Sequence, residues 1–74
     1  MFEVLEIYTK SVSAFIKESL SHGQKEIKKA DIQDLLKECP KALHTTVIQQ
    51  ALVNFKDDWC MKRETDKFIF WGSL

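Results

Sequence analysis

The chain has 74 residues, of which 45% are hydrophobic and 30% are charged, and its eleven basic side chains balance eleven acidic ones. This length predicts one domain with one modest core, and the composition is ordinary for a globular protein. Free-standing nucleic-acid-binding domains are usually markedly basic, so the balanced charge argues against that class.

The two cysteines, Cys39 and Cys60, form no C-x-x-C pair. Small secreted scaffolds usually carry at least four cysteines, so this usage predicts reduced thiols in an intracellular protein, each acting as a small apolar side chain. No apolar run approaches the roughly 18 residues of a membrane span. The acidic Glu3 and Glu6 stand where a signal peptide would be basic, so we expect no signal peptide and no membrane partner.

Residues 2–21 have the hydrophobic spacing of an amphipathic helix. Apolar and aromatic residues recur every three or four positions on one stripe, which comprises Val4, Leu5, Tyr8, Val12, Phe15, Ile16 and Leu20. Gly23 follows Ser21 and His22, and it suits the left-handed conformation that often ends a helix. The pattern predicts a long first helix that ends at this glycine.

Residues 24–29 are polar except for Ile27. Residues 30–39 are predicted to form the second helix, and Pro40 to end it. Its apolar positions, spaced by three and four, are Ile32, Leu35, Leu36 and Cys39.

A third helix is predicted to follow a short connection, residues 41–44, in which Leu43 fills the core. Thr45 or Thr46 is predicted to cap this helix, and with Thr46 as the cap Gln49 completes a capping box. The positions predicted to be buried are Ile48, Ala51, Leu52 and Phe55. The positions predicted to face solvent are Val47, Gln49, Gln50, Val53, Asn54 and Lys56.

Two short runs with alternating aromatic or branched residues follow the turn signal at Asp57 and Asp58. They span residues 59–63 and 67–71, with residues 64–66 between them, and they predict a β-hairpin. The predicted core therefore consists of Leu5, Tyr8, Val12, Phe15, Ile16, Ile32, Leu35, Leu36, Leu52, Phe55, Trp59, Phe68 and Phe70.

This order of elements resembles the winged-helix superfamily over nearly the whole chain. The resemblance is carried by Ala30-Asp-Ile-Gln-Asp-Leu-Leu36, by Thr46 to Phe55 and by the hairpin from Trp59 to Trp71. It implies an α+β fold, a winged helix of three helices plus a small antiparallel β-hairpin wing, in a single domain spanning residues 1–74. It also implies that residues 24–29 hold a very short strand that adds to the edge of the hairpin, with Ile27 directed inward.

The run Asp58-Trp-Cys60, with a second aromatic strand before Gly72, is similar to terminal winged helices in subunits of the nuclear transcription machinery. A peripheral subunit of RNA polymerase III is one example. The N-terminal domains of meiotic strand-exchange accessory proteins end in a similar aromatic strand. These resemblances imply a nuclear protein and transfer no functional residue. The chain starts directly in a helix and stops two residues after Gly72, as an excised domain would.

The sequence predicts no enzyme, because it contains no Gly-rich phosphate loop, no recognisable Ser-His-Asp spacing and no H-E-x-x-H motif. Cys60 and His44 could in principle form a nucleophile and a base, but the strand around Cys60 supplies no cation that would activate the thiol. A zinc site made of Cys39, Cys60, His22 and His44 would need four distant positions to converge without metal-motif spacing. We therefore expect no cofactor, no metal and no small-molecule substrate.

Protein interaction is the favoured prediction. Val47 and Val53 on the third helix, with Ile69 or Trp71 on the outer face of the hairpin, are predicted to form an apolar patch for protein subunits of a larger complex. Tryptophan is enriched at binding hot spots, although Trp59 and Trp71 could equally be core or sheet-edge residues. The prediction is a non-catalytic scaffolding module of a nuclear, transcription-related complex.

The alternative is a weak, sequence-tolerant DNA-binding module, in which the third helix enters the major groove and the wing contacts the backbone. The candidate contacts are Thr45, Thr46, Gln49, Gln50 and Asn54 on the helix and Lys62, Arg63 and Lys67 on the wing. Acidic residues offset the wing's basic ones, namely Glu64 and Asp66 within the wing and Asp57 and Asp58 at its base. Any binding to duplex DNA is therefore expected to be weak.

Overall fold

The computed structural model describes residues 2–72, and this part of the chain forms an α+β fold of three α-helices and one three-stranded antiparallel sheet. The elements in chain order are α1 (Phe2–Ser21), β1 (Glu26–Lys28), α2 (Lys29–Leu35), a 3-10 turn (Lys41–Leu43), α3 (His44–Val53), β2 (Cys60–Arg63) and β3 (Lys67–Trp71). Within the described residues, every helix is too short or too polar to cross a membrane.

The first helix has the predicted bounds and the predicted glycine end. Gly23 has a φ of 83°, and its N–H donates to the Leu20 carbonyl at 3.0 Å while the Gln24 N–H donates to the Ser19 carbonyl at 2.9 Å. These paired bonds satisfy carbonyls that a helix end leaves open, and the left-handed residue between them is most easily a glycine. The first helix therefore stops for a local reason that is visible in the sequence.

The apolar stripe of α1 is buried only along part of its length. Val12, Ile16 and Leu20 lie in the core, but Val4 is 39% exposed and Ile7 is 64% exposed. Val4 was placed on the apolar stripe but not in the predicted core, and it lies outside the core in the structure. The other elements of this small domain cover the C-terminal half of α1 more fully than its first turns.

The second helix ends at Leu35, short of the predicted end at Cys39. The Leu36 N–H is shared between the carbonyls of Ile32 at 3.2 Å and Gln33 at 3.0 Å, and the Cys39 N–H donates to the Leu36 carbonyl at 2.9 Å. Because a proline disfavours helical geometry in the residue before it, the chain leaves the helix one turn before Pro40. Leu36 and Cys39 remain buried in this turn.

The third helix begins at His44 and lacks the predicted threonine cap. The residue at the N-cap position is Leu43, and no side chain among residues 2–72 caps the helix there, so the predicted box of Thr46 and Gln49 is absent. The 3-10 turn explains this, because the Leu43 N–H donates to the Pro40 carbonyl at 2.9 Å and the turn runs directly into α3. Carbonyls of the preceding turn thus take the role expected of a side-chain cap.

The sheet has the strand order β1-β3-β2, with both pairs antiparallel. The predicted hairpin and edge strand are therefore confirmed, although β2 starts at Cys60 rather than at Trp59. Ile27 lies opposite Phe68, and Met61 lies opposite Phe70. Since side chains alternate between the two faces of a strand, these residues share the inner face, and Ile69 and Trp71 lie on the outer face.

One hydrophobic core joins the three helices to the inner face of the sheet. Its buried members are Val12, Ile16, Leu20, Ile27, Ile32, Leu36, Cys39, Val47, Ala51, Leu52, Phe68 and Phe70, and every other predicted core residue packs against them. The rings of Phe55 and Phe70 meet edge to face at 6.1 Å between centroids and 75° between planes. This contact attaches the segment after α3 to the sheet.

Val47 was predicted to face solvent, and this prediction was wrong because its exposed fraction is 0%. The buried arc of α3 is wider than one narrow stripe. It includes the buried Val47, Ala51 and Leu52 and the half-buried Ile48. Because α1 packs along α3 and the 3-10 turn also contacts it, the helix is covered on more of its circumference than its hydrophobic pattern indicates.

Candidate protein-binding groove

The predicted apolar patch is divided by the fold. Val47 is buried, whereas Val53 is 60% exposed on α3 and Trp71 is 47% exposed on β3. Ile69 is half-buried and shares the outer face of the sheet with Trp71. Of the four predicted contact residues, only Val53 lies in a concave apolar surface.

That concave surface is an open groove between α3 and β2, with a volume of about 420 Å³. Its lining residues come from α3, from the turn after it and from the hairpin, and they are Gln49, Leu52, Val53, Phe55, Lys56, Trp59, Met61, Arg63 and Phe70. Six of these nine residues are apolar or aromatic, so the groove combines an apolar interior with a polar rim. This is the composition expected of a peptide or ligand site.

Local hydrogen bonds place the aromatic wall of the groove. After Val53 the chain turns back on itself, as the Phe55 N–H donates to the Leu52 carbonyl at 3.0 Å and the Trp59 N–H donates to the Phe55 carbonyl at 2.9 Å. These bonds hold Trp59 beside the end of α3. Trp59 is half-buried, so its indole both contacts the core and forms part of the groove wall.

The inner face of the hairpin supplies the opposite wall. Arg63 lies opposite Phe68, and Met61 lies opposite Phe70, so both side chains of β2 lie on the face that packs toward the helices. Arg63 is nevertheless exposed, because it lies at the end of β2. The sequence signal that could have revealed this wall is Arg63, a charged residue two positions after Met61 and therefore on the same face of the strand.

The basic side chains of the β2–β3 hairpin differ in whether a carboxylate pairs with them. Lys62 pairs with Glu64 at 3.4 Å, and Lys67 pairs with Glu26 at 2.9 Å. The Lys67 ammonium donates a hydrogen bond to the Glu26 carboxylate. This hydrogen bond and the negative charge of the carboxylate raise the pKa of Lys67. Arg63 has no ion-pair partner within residues 2–72. The described residues of the β2–β3 hairpin therefore offer one cation without a carboxylate partner, on the groove side.

The residues predicted to contact DNA are distributed over several surfaces. Thr45, Gln49 and Arg63 line a smaller pocket of about 280 Å³. Lys29 lines the same pocket, although it was not among the predicted DNA contacts. The remaining lining residues of this pocket are Gln33, His44, Ile48 and Phe68. The Lys29 ammonium lies 5.4 Å from the centre of the Phe68 ring, a cation–π contact that keeps the lysine at this site.

The other predicted DNA contacts are placed elsewhere. The Asn54 amide donates to the Ser13 hydroxyl at 3.0 Å, so this side chain attaches the end of α3 to α1. Thr46 and Gln50 are exposed on α3. Lys62 and Lys67 lie at positions that alternate with Arg63 and Phe68, toward the outer face of the sheet.

The two cysteines differ in burial, and His44 contacts the backbone of Cys39. Burial raises the pKa of the Cys39 thiol, and the His44 Nε2 atom lies 2.9 Å from the Cys39 carbonyl oxygen. Cys60 is half-buried at the start of β2. In the described part of the chain, no three His, Cys, Asp or Glu side chains are close enough to hold a metal ion.

Comparisons of this chain with protein-family models, with curated proteins and with solved structures find no match. The functional interpretation therefore depends on the geometry and charge of the groove and of the pocket beside it.

Proposed function

We propose that the domain is a winged helix and that it acts as a non-catalytic protein-interaction module. The β2–β3 hairpin would be the wing, and α3 would be the helix that precedes it. The strand order β1-β3-β2 supports this proposal, because a short first strand that pairs with the last strand is what the resemblance implies. The nuclear, transcription-related complex, with RNA polymerase III as one example, is proposed from that resemblance.

The observation that carries the interaction function is the groove between α3 and β2. It presents the exposed Val53 beside half-buried Trp59 and Met61. A concave apolar surface of this kind loses water favourably when a partner covers it, and an aromatic residue in its wall is typical of a binding hot spot. The domain would thus hold a protein subunit in place rather than perform a reaction.

The charge distribution supports a protein partner over duplex DNA. Affinity for DNA comes mainly from lysines and arginines that neutralise phosphates. Here Lys62 and Lys67 are paired with carboxylates, and the net charge of the whole chain is zero. Among the described residues of the hairpin, Arg63 alone is a cation without a carboxylate partner that could displace counterions from a duplex.

Site-specific cross-linking tests this proposal. A photoreactive amino acid at Val53 is expected to give discrete protein adducts in nuclear extract, and excess unlabelled domain should suppress them. The same amino acid at Trp71, also exposed but on the outer face of the sheet, is the matched control. Equal adduct patterns at the two positions would contradict a groove-specific function.

DNA binding remains a second candidate function, favoured by one observation. The pocket beside the groove brings Lys29 and Arg63 together with Thr45 and Gln49, which are groups that can contact a phosphate and a base edge. Duplex titration at several salt concentrations separates the candidates. Micromolar or tighter binding with a steep salt slope, weakened by Lys29→Glu or Arg63→Glu, would favour DNA and contradict the scaffolding proposal.

A further inference from the structure

We infer that the groove between α3 and β2 binds an acidic peptide segment of a partner protein, whose apolar side chains enter the groove and whose carboxylates contact Lys56 and Arg63. This inference rests on the proposed function and specifies the chemistry of the partner. It follows from the apolar interior of the groove, from the two cations at its rim and from the absence of carboxylates among the described residues that line it.

The apolar lining of the groove determines which side chains of a peptide can enter it. Leu52 and Phe70 are buried beneath the groove, Trp59 and Met61 are half-buried, and Val53 is 60% exposed at its edge. The volume of about 420 Å³ lies near the lower end of the roughly 300–1,000 Å³ that is typical of ligand sites. A space of this size accommodates a few apolar side chains of a peptide, and it is open to solvent along its length.

The two cations at the rim of the groove determine which charges are favoured beside those side chains. Lys56 lies in the turn after α3 and Arg63 lies at the end of β2, so the two cations come from opposite walls. Neither has an ion-pair partner in residues 2–72. Asp57 and Asp58 follow Lys56 directly in the chain, but they do not line the groove.

A carboxylate on each side of an apolar anchor would complement this arrangement. An arginine guanidinium can bind a carboxylate through two parallel hydrogen bonds, which adds orientation to attraction. A basic peptide would instead place its cations against Lys56 and Arg63. Complementary charge at an interface rim mainly decides which partner binds and how fast it associates.

A displayed library of random peptides, selected on the whole chain, tests the inference. We expect the recovered peptides to combine apolar residues with flanking Asp or Glu. The affinity of one such peptide should fall about tenfold in the Arg63→Glu variant, a change of about 1.4 kcal/mol. Replacing by lysine only the peptide carboxylate that contacts residue 63, and keeping the one that contacts Lys56, should restore the affinity for that variant.

Lys62→Glu is the matched control, because it makes the same charge change at the neighbouring position of β2, which lies on the outer face of the sheet. At physiological ionic strength the Debye length is about 8 Å, so distant charges are largely screened. Equal losses in the Arg63→Glu and Lys62→Glu variants would overturn the inference, since the rim would then have no special role.

The same selection separates this inference from the proposed function. Peptides that lack an acidic excess, yet lose binding in a Val53→Glu variant, would overturn the acidic partner and leave the groove as an interaction site. Peptides whose binding is unchanged by Val53→Glu would contradict the proposed function itself. Val53 is exposed at the end of α3, so this variant is expected to fold.

Two other occupants are distinguished by further measurements. The first turns of α1 expose Val4 and Ile7 beside Glu3 and Glu6, so a second copy of this chain also carries acidic and apolar groups together. We expect a monomer in analytical ultracentrifugation. A dimer that dissociates in the Ile7→Lys variant would overturn the inference, as would duplex DNA that displaces the selected peptide.

Discussion

The valine pair of α3 provides a direct test of how this helix is placed. Val47 has an exposed fraction of 0% and Val53 one of 60%, although both lie on the same helix. Val→Ala removes two methyl-sized groups, worth about 0.8 kcal/mol each when buried, and the cavity that remains adds to the cost. We therefore expect Val47→Ala to lower the free energy of unfolding by about 2 kcal/mol. Val53→Ala should change it by less than about 0.5 kcal/mol.

Urea denaturation followed by circular dichroism measures both variants. With a slope of about 1 kcal/mol per molar urea for a small domain, the Val47→Ala midpoint should fall by about 2 M, with the slope unchanged. In thermal unfolding, 1 kcal/mol corresponds to roughly 4–8 °C for domains of this size, so the melting temperature should fall by about 10 °C or more. Equal midpoints for the two variants would refute the placement of Val47 in the core.

Three further predictions concern the helix end, the thiols and the one carboxylate-paired lysine with a raised pKa. Gly23→Ala should lower the free energy of unfolding, measured by urea denaturation, by about 1–2 kcal/mol, because Gly23 has the left-handed φ of 83°. Among the described residues no atom lies within 4 Å of the new methyl group, so the backbone conformation alone is tested. An unchanged free energy of unfolding would contradict the left-handed geometry. In the folded protein at mildly alkaline pH, a thiol reagent should modify Cys60 well before Cys39, whose pKa is raised by burial, and equal rates would contradict that burial. Contact with Glu26 raises the pKa of Lys67 in the folded state. The ion pair should therefore stabilise the fold fully below the ordinary lysine pKa of about 10.4, and this stabilisation should be lost as the pH rises through the raised pKa. The difference in unfolding free energy between the wild type and Glu26→Gln should therefore shrink in that alkaline range, and a difference that grows there would contradict the ion pair.

Local chemistry made much of the fold predictable. The bounds of α1 follow from its spacing and from Gly23. The short strand with Ile27 directed inward was implied by the resemblance to winged helices, and Ile27 is buried. The hairpin follows from Trp59 and Met61 at alternate positions before a polar turn and from Phe68 and Phe70 at alternate positions after it. For α1 and for the hairpin a short run of residues carries the whole signal, so no distant contact is needed to interpret it.

The candidate site was predictable only in part. Val53 was expected to be exposed and Trp59 to be buried, and the structure places both in the wall of one groove. Arg63 was grouped with Lys62 and Lys67 as a wing cation, but only Arg63 lies on the inner face. Whether a strand residue faces a groove or solvent depends on register and on what packs across from it, and neither is encoded in one segment.

The sequence by itself determined the three helical segments, the hairpin and nearly all of the core, because hydrophobic periodicity and turn residues act within a few positions of the chain. Only the tertiary structure decided that Val47 is buried, that α3 begins without a threonine cap and that a groove separates α3 from β2. These features arise where α1 and the 3-10 turn pack against α3, and where one core cluster joins α3 to the sheet. Packing between distant segments sets which side of a helix is covered, and that arrangement also sets which apolar and charged residues remain for a partner.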